Sequence, residues 1–284
     1  MILRALASLL GWLALASPLA APPPLHPALW VARANGATLW LFGTVHQLRP
    51  GTPWLTGRVA KAFDASDALL LELVAPTPAQ TAATLAALAP PRPQPLPEPL
   101  RRAVAARSAA LGFPPGAFDG QDPWVAATTL GGAALARAGY TPAPAPETLL
   151  AREAARAGTP VIGLETQRSQ LAAFARLPLP VQRRMLAQAL SGDTAATMDR
   201  LTAAWGRADV PALHALLERD MAAGGPEVRA ALLDRRNAAF AADIAGRARL
   251  GDTLFVAIGA GHLLGTGGVP ARLAAAGWSV RRVQ

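Results

Sequence analysis

Two segments near opposite ends of this 284-residue chain share one pattern, an apolar strand followed by Gly-x-x-His. The run Thr38–Phe42 leads to His46, and the run Thr253–Ile258 leads to His262. Between them a 3.6-residue periodicity of apolar residues predicts several helices. Strands near both ends with helices between them predict an α/β fold: a central mixed β-sheet with flanking helices and a large helical insertion over about residues 75–250.

A β-hairpin is predicted at the start of the sheet. Asn35-Gly36 separates the apolar runs Leu29–Arg33 and Thr38–Phe42, and both turn residues tolerate the positive φ angles of a tight hairpin. Other apolar runs predict further strands, at Ala68–Val74, Thr159–Leu164 and Trp278–Val283. The insertion is predicted to contain a Pro-dense loop, Pro90–Pro99, and to end in one long helix, Glu227–Ala248.

Residues 1–21 have the pattern of a secretory signal peptide. Arg4 supplies a positive charge, an apolar stretch follows, and the segment ends in small residues at Ala20-Ala21. The alternative is a buried N-terminal helix, which conflicts with Pro18 and the run Pro22–Pro24, because prolines end a helix. We therefore expect residues 22–284 to form a single periplasmic or extracellular domain, whether the segment is cleaved or retained as an anchor.

Composition excludes several classes of function. Without cysteine the chain has no thiol nucleophile, thiolate zinc site or disulfide. The net charge of +9 comes from scattered arginines, with Lys61 the single lysine, and aromatic residues make up 5%. This pattern does not predict a nucleic-acid groove, which clusters basic and aromatic side chains. After the N-terminal segment no apolar run is long enough for a membrane span.

The side chains that follow the apolar strands predict a reactive site. In an α/β sheet the carboxyl ends of the strands form the crevice that collects ligands. His46 and His262 lie there, and Glu72 and Glu165 end apolar runs, where a carboxylate is costly unless paired or metal-bound. Two imidazoles and one or two carboxylates suit a divalent ion. Structural alternatives stay open: a hydrogen-bonded buried histidine, a salt bridge from Glu72, or helix capping by Glu165.

Five short motifs occur in a fixed order along the chain: Phe42-Gly43-Thr44-Val45-His46, the Leu-rich run ending at Glu72, Gly163-Leu164-Glu165-Thr166, Arg236-Asn237 and Gly259-Ala260-Gly261-His262-Leu263. From about residue 28 to its end, the chain resembles the TraB/GumN family, which includes the Tiki proteases. The resemblance implies an α/β fold related to the erythromycin-esterase and ChaN-like group. For the Tiki branch it implies a metal-dependent protease with paired Gly-x-x-His motifs.

The resemblance also implies roles for individual residues. His46 and His262 would be metal ligands or catalytic histidines. Glu72 would be a metal ligand or a general base, and Glu165 would be a second catalytic carboxylate. Arg236 would stabilise an oxyanion and Asn237 would orient the site. Mn²⁺, Co²⁺ and Zn²⁺ all suit this ligand set.

The sequence thus predicts an exported metal-dependent hydrolase that acts on a peptide or small-molecule amide or ester. Two alternatives remain open. One is a metal-free hydrolase with a histidine base, and the other is a non-catalytic envelope protein that binds a peptide or assists polysaccharide export. The substrate, the metal and the oligomeric state are left open.

Overall fold

The computed structural model describes residues 23–89 and 95–284, so the predicted signal peptide lies outside the described residues. The strands are β1 (Leu29–Ala34), β2 (Ala37–Thr44), β3 (Ala68–Leu71), β4 (Val161–Gly163), β5 (Thr253–Gly259) and β6 (Ser279–Arg282). They form one six-stranded sheet in the order β4-β3-β5-β2-β1-β6. Strands β4, β3, β5 and β2 run parallel, whereas β1 pairs antiparallel with both β2 and β6. The predicted α/β fold with a mixed sheet is confirmed.

The N-terminal hairpin has the predicted turn. Asn35 and Gly36 connect β1 to β2 with φ angles of 49° and 75°. Two positive φ angles in a two-residue loop give a turn whose twist matches that of the flanking strands.

The α-helices of the described residues are α1 (Gly57–Asp64), α2 (Pro78–Leu88), α3 (Glu98–Leu111), α4 (Pro123–Arg137), α5 (Pro146–Ala157), α6 (Gln167–Ala175), α7 (Leu179–Ser191), α8 (Thr194–Gly206), α9 (Val210–Gly224), α10 (Pro226–Arg229), α11 (Arg235–Arg247) and α12 (Val269–Ala275).

Three sequence predictions need correction. The long helix expected over Glu227–Ala248 is interrupted by a π-helical turn at Ala230–Asp234, which separates α10 from α11. The Pro-dense segment was expected to be a loop as far as Pro99, but α3 already begins at Glu98, because proline is tolerated in the first turn of a helix. Strand β3 ends at Leu71 instead of Val74, which leaves Glu72 beyond the ladder.

The sheet is buried on both faces. Alternate residues of β5 enter different clusters: Phe255 and Ala257 pack on one side, and Leu254, Val256 and Ile258 on the other. This alternation is the two-residue period of a strand. On the first side Phe42 stacks on Trp54 with ring centroids 5.4 Å apart and lies 5.8 Å from the Phe255 ring. The parallel strands are therefore held rigidly between two helical layers.

The two Gly-x-x-His turns pack directly against each other. A Cβ atom on Gly43 would lie 3.1 Å from Ala260 Cα, closer than ordinary side-chain packing allows. The Gly43 carbonyl also accepts a hydrogen bond of 2.7 Å from the buried Trp205 indole. Glycine is thus required here by the close approach of two backbones. Among the described residues, no helix is long and apolar enough to cross a membrane.

Candidate active site

Four parallel strands deliver their following residues to one edge of the sheet. Register pairs Thr44 of β2 with Gly259 of β5, so the two histidine turns begin side by side. His46 follows β2, and His262 lies on the 3₁₀ turn after β5. Glu72 and Glu165 follow β3 and β4 at the same edge. The structure therefore brings all four side chains to the carboxyl ends of the strands.

Glu72 lies at the centre of this edge and is 6% exposed. Its Oε1 accepts a hydrogen bond of 2.5 Å from the Gly259 N–H, and its Oε2 accepts one of 2.6 Å from Arg236. Burial alone would raise the pKa of Glu72, but the charges of His262, Arg236 and His46 hold it below its usual value. Arg236 carries a positive charge at every physiological pH, so Glu72 is ionised at neutral pH.

Arg236 uses all five of its N–H donors within the protein. Nη2 donates to Glu72 at 2.6 Å and to Glu165 at 2.5 Å, while Nε donates to the second oxygen of Glu165 at 3.2 Å. Nη1 donates to the Leu232 carbonyl and to Nε2 of His262, each at 3.0 Å. A guanidinium has five N–H groups, so none remains for an oxyanion unless a bond is given up. Its predicted role in oxyanion stabilisation stays a prediction.

His262 is held in one tautomer. Because Arg236 can only donate, Nε2 of His262 must accept, and the ring proton lies on Nδ1. Nδ1 donates to Asn237 Oδ1 at 2.6 Å, and the Asn237 amide nitrogen donates to the Gly267 carbonyl at 3.0 Å. Burial lowers the pKa of His262 to about 4, so the ring is neutral at neutral pH. Asn237 thus fixes the orientation of the His262 ring, and its predicted role in catalysis stays a prediction.

His46 is bound to a residue that the sequence analysis did not select, Glu147. Nδ1 of His46 lies 2.6 Å from Glu147 Oε1, which also accepts a hydrogen bond of 2.5 Å from the Thr44 hydroxyl. The hydrogen bond to Glu147 raises the pKa of His46 to about 9. The ring is surrounded by the atoms of a cleft, yet 71% of its side chain remains open to solvent. The other oxygen of Glu147 is buried without a hydrogen-bond partner.

Gly259 keeps the centre of the site open. A Cβ atom at this position would lie 2.9 Å from Glu72 Oε1, 3.6 Å from His262 Cδ2 and 3.8 Å from His46 Nε2. The absence of a side chain therefore leaves a space bordered by both histidines and a carboxylate.

The site lines a cleft of about 580 Å³. Its polar part contains His46, Glu72, Glu147, Arg236 and His262. Its apolar lining, called here the apolar wall, includes Met198, Leu201, Leu213, Leu217, Met221 and Leu232. A mostly apolar cleft with a few polar groups is the usual arrangement of a ligand site.

Glu165 lines a neighbouring groove instead of this cleft. Burial raises its pKa, which attraction to Arg236 opposes, and Gln170 donates to its Oε1 at 3.1 Å. All six predicted site residues are thus close in space, but Glu165 and Asn237 act behind those that line the cleft. In the described part of the chain, no three His, Asp or Glu side chains are grouped as metal ligands.

Nothing local in the sequence marks Glu147. It lies in the first turn of α5, where an acidic residue is common because it interacts favourably with the helix dipole. The backbone bridge between Leu48 and Thr141 brings the segment before α5 alongside the segment after His46. This tertiary pairing, together with a hydrogen bond of 3.1 Å from the Trp54 indole to the Pro144 carbonyl, helps to bring Glu147 to the histidine.

Comparison with known proteins gives one match. The model of the TraB/PrgY/gumN family matches residues 28–282. No curated protein and no solved structure matches the chain. The matched region contains every side chain of the candidate site.

Proposed function

The chain belongs to the TraB/PrgY/gumN family, and on that premise we propose that it is an exported hydrolase that cleaves a peptide or another amide or ester bond with a divalent metal ion. The proposal depends chiefly on the paired arrangement of His46 and His262, each with Nδ1 held by a side-chain oxygen. Nε2 of His46 is then the ring atom that would bind a metal ion or exchange a proton. Nε2 of His262 would bind a metal ion only by giving up its hydrogen bond from Arg236. Export is proposed from the pattern of residues 1–21.

The charges of the site support a divalent cation. When both imidazoles are neutral, Glu72, Glu147 and Glu165 accompany a single guanidinium, so two negative charges remain uncompensated. The buried Oε2 of Glu147 has no donor, and a buried oxygen without a partner is costly. The space beside Gly259 has ligand atoms on more than one side. The donor set therefore fits a divalent ion in charge and in chemistry.

We assign the ion to His46, Glu72 and His262, a set that Mn²⁺, Co²⁺ and Zn²⁺ all accept. An ion held there would polarise a carbonyl group and lower the pKa of a water molecule. Because a ligating imidazole must be neutral, His46 has to release its proton when it binds the ion, and the Nδ1–H then donates to Glu147.

The other residues position these groups. Glu72 and Glu147 are the carboxylates that line the cleft, so we assign one of them to accept the proton of the attacking water. Arg236 holds Glu72, Glu165 and His262 in fixed relative positions through its five hydrogen bonds. The apolar wall of the cleft would bind an apolar part of the substrate and exclude water.

A metal-free hydrolase is the second candidate, and one observation favours it. Nε2 of His262 accepts from Arg236 at 3.0 Å, which uses the lone pair that a metal would need. His46, with a pKa of about 9, is protonated at neutral pH. In this mechanism the His46 imidazolium donates from Nε2 to the substrate carbonyl oxygen, and Glu72 accepts the proton of the water.

Metal content tests the first mechanism directly. The untagged protein, purified without chelators, is offered Mn²⁺, Co²⁺ and Zn²⁺ in turn and analysed by elemental mass spectrometry. His46→Ala and His262→Ala are compared with His214→Ala, which changes a half-buried histidine of α9 that does not line the cleft. We expect about one ion per chain in the parent and in His214→Ala, and loss of the ion in both site variants.

Peptide-library cleavage with and without chelator then separates the mechanisms. Cleavage that a chelator abolishes and the same metal restores supports the metal-dependent hydrolase. Cleavage that the chelator does not affect but that is lost in His46→Ala supports the metal-free mechanism. A folded parent that binds no metal and cleaves no member of the library, while retaining a library peptide, would instead be a non-catalytic binder.

A further inference from the structure

A second groove of about 720 Å³ lies next to the cleft, between α6 and α11. We call it the arginine groove because three arginines line it. Arg168 lies on α6, Arg176 follows the last residue of α6, and Arg235 begins α11. Arg236 borders both cavities, so the groove begins at the side of the candidate active site. Ser169 and Thr166 add hydroxyl groups to its wall.

The arginine groove carries positive charge that the described residues do not neutralise. Arg168, Arg176 and Arg235 are exposed, and within residues 23–89 and 95–284 none of them has an ion pair or a side-chain hydrogen bond. Glu165 is the carboxylate that lines the groove, and it is already paired with Arg236. Arg168 also lies in the first turn of α6, where the helix dipole disfavours a cation and favours a bound anion.

We propose that the arginine groove binds an acidic segment of a peptide. The guanidinium group matches a carboxylate with two parallel hydrogen bonds, so three unpaired arginines are suited to side chains of Asp and Glu. Arg168 and Arg176 are eight residues apart on one helix face, which corresponds to about 12 Å along the axis. An extended peptide covers that distance in about four residues. The groove is too long for a single phosphate ion to contact both ends.

The position of the groove gives this binding a role. A peptide bound in the arginine groove would lie beside Arg236, which also lines the cleft with the apolar wall. The substrate class is therefore a peptide with an acidic stretch next to an apolar residue. This assignment of a substrate rests on the proposed hydrolase function, whereas binding of the acidic segment does not.

Calorimetry with a capped tetraglutamate peptide tests the binding. The triple variant Arg168→Gln, Arg176→Gln, Arg235→Gln is compared with Arg33→Gln, Arg207→Gln, Arg281→Gln, which removes the same charge from exposed arginines outside the groove. Exposed arginine–carboxylate pairs each contribute little to binding, so we expect the loss of all three to weaken binding by the groove variant roughly tenfold. We expect the control variant to bind within about twofold of the parent, because distant exposed charges are screened.

Three results would overturn the proposal. These are equal weakening in both triple variants, binding of tetraglutamine as tight as that of tetraglutamate, or displacement of the peptide by equimolar inorganic phosphate. Thermal unfolding of both variants checks that they are folded, and exposed substitutions of this kind change stability little. The calorimetry measures peptide binding alone, so its result stands even if no hydrolysis is found. Likewise, the metal content of the parent protein tests the hydrolase proposal whatever the groove variant binds.

Discussion

Oε1 of Glu147 lies 2.6 Å from Nδ1 of His46, although the two residues are 101 positions apart in the chain. The carboxylate fixes the orientation of the ring and stabilises its protonated form, since an ion pair with a hydrogen bond favours the charged state. Thr44 donates to the same oxygen and so fixes the carboxylate in turn. His46 therefore lines the cleft with Nδ1 bonded to Glu147, and within the described residues Nε2 has no hydrogen-bond partner.

Glu147→Gln is expected to lower the pKa of His46 from about 9 towards the ordinary value of 6.5, because a neutral amide no longer stabilises the imidazolium. A histidine with a raised pKa stabilises the fold fully below pH 6.5 and loses that contribution as the pH rises through 9. NMR titration of the ring nitrogens measures the shift. The matched control is Glu153→Gln on the same helix, which should leave the titration unchanged. An unchanged His46 titration in Glu147→Gln would show that the pair does not determine its charge.

His262 is expected to make the protein less stable in acid. Its pKa is about 4 in the folded protein and about 6.5 in the unfolded chain, so the unfolded state binds more protons between these values and stability falls as the pH decreases through this window. The shift corresponds to about 3 kcal/mol at pH 4. Urea unfolding at several pH values should show a shallower pH dependence in His262→Asn. His214→Asn is the control, and equal slopes in all three proteins would contradict the assignment.

Arg236→Met is expected to destabilise the fold by about 3–5 kcal/mol, because it leaves the buried carboxylates of Glu72 and Glu165 without their cation. Urea unfolding measures the loss. Arg247→Met removes an exposed ion pair from the same helix and should cost less than about 1 kcal/mol. Adding Glu165→Gln to Arg236→Met should recover part of the loss. If the double variant is as unstable as the single one, charge is not the cause.

Gly259→Ala is expected to disrupt the site more than the fold. The new Cβ would lie 2.9 Å from Glu72 Oε1, so the carboxylate must move away from both histidines. We expect loss of metal binding or of cleavage, with a cost in stability of about 1–3 kcal/mol from overpacking. Gly246→Ala on α11 has no neighbour within 4 Å of its added Cβ and should be neutral or stabilising. Full metal binding or activity in Gly259→Ala would show that the open space beside Gly259 is not needed for either.

The strands and the position of the site were predictable because their patterns are local. A two-residue alternation marks buried strands, and Asn35-Gly36 marks a hairpin whatever surrounds it. The repeated strand–Gly-x-x-His pattern also predicted that both histidines lie at the carboxyl ends of their strands. In the structure the two histidine turns are adjacent because Thr44 pairs with Gly259 in the sheet register.

Tertiary relationships were not predictable in the same way. Glu147 reaches His46 through the bridge between Leu48 and Thr141, which leaves no trace in the local sequence. The π-helical turn before Arg235 contains no glycine or proline that would mark an interruption, so periodicity predicted one uninterrupted helix. The complete pairing of Arg236 likewise depends on partners from four different segments of the chain.

The order of the strands has a consequence for how the protein is made. Strand β5 lies between β2 and β3, yet it is synthesised nearly last. Until residue 253 has emerged from the ribosome, β2 and β3 each have an unpaired edge, which is prone to join another chain. Folding must therefore wait for the C-terminal segment to insert into the middle of the sheet, and such distant pairing is slow. A nascent chain thus lacks the cleft between its two histidine turns, and needs protection from aggregation, until its synthesis is almost complete.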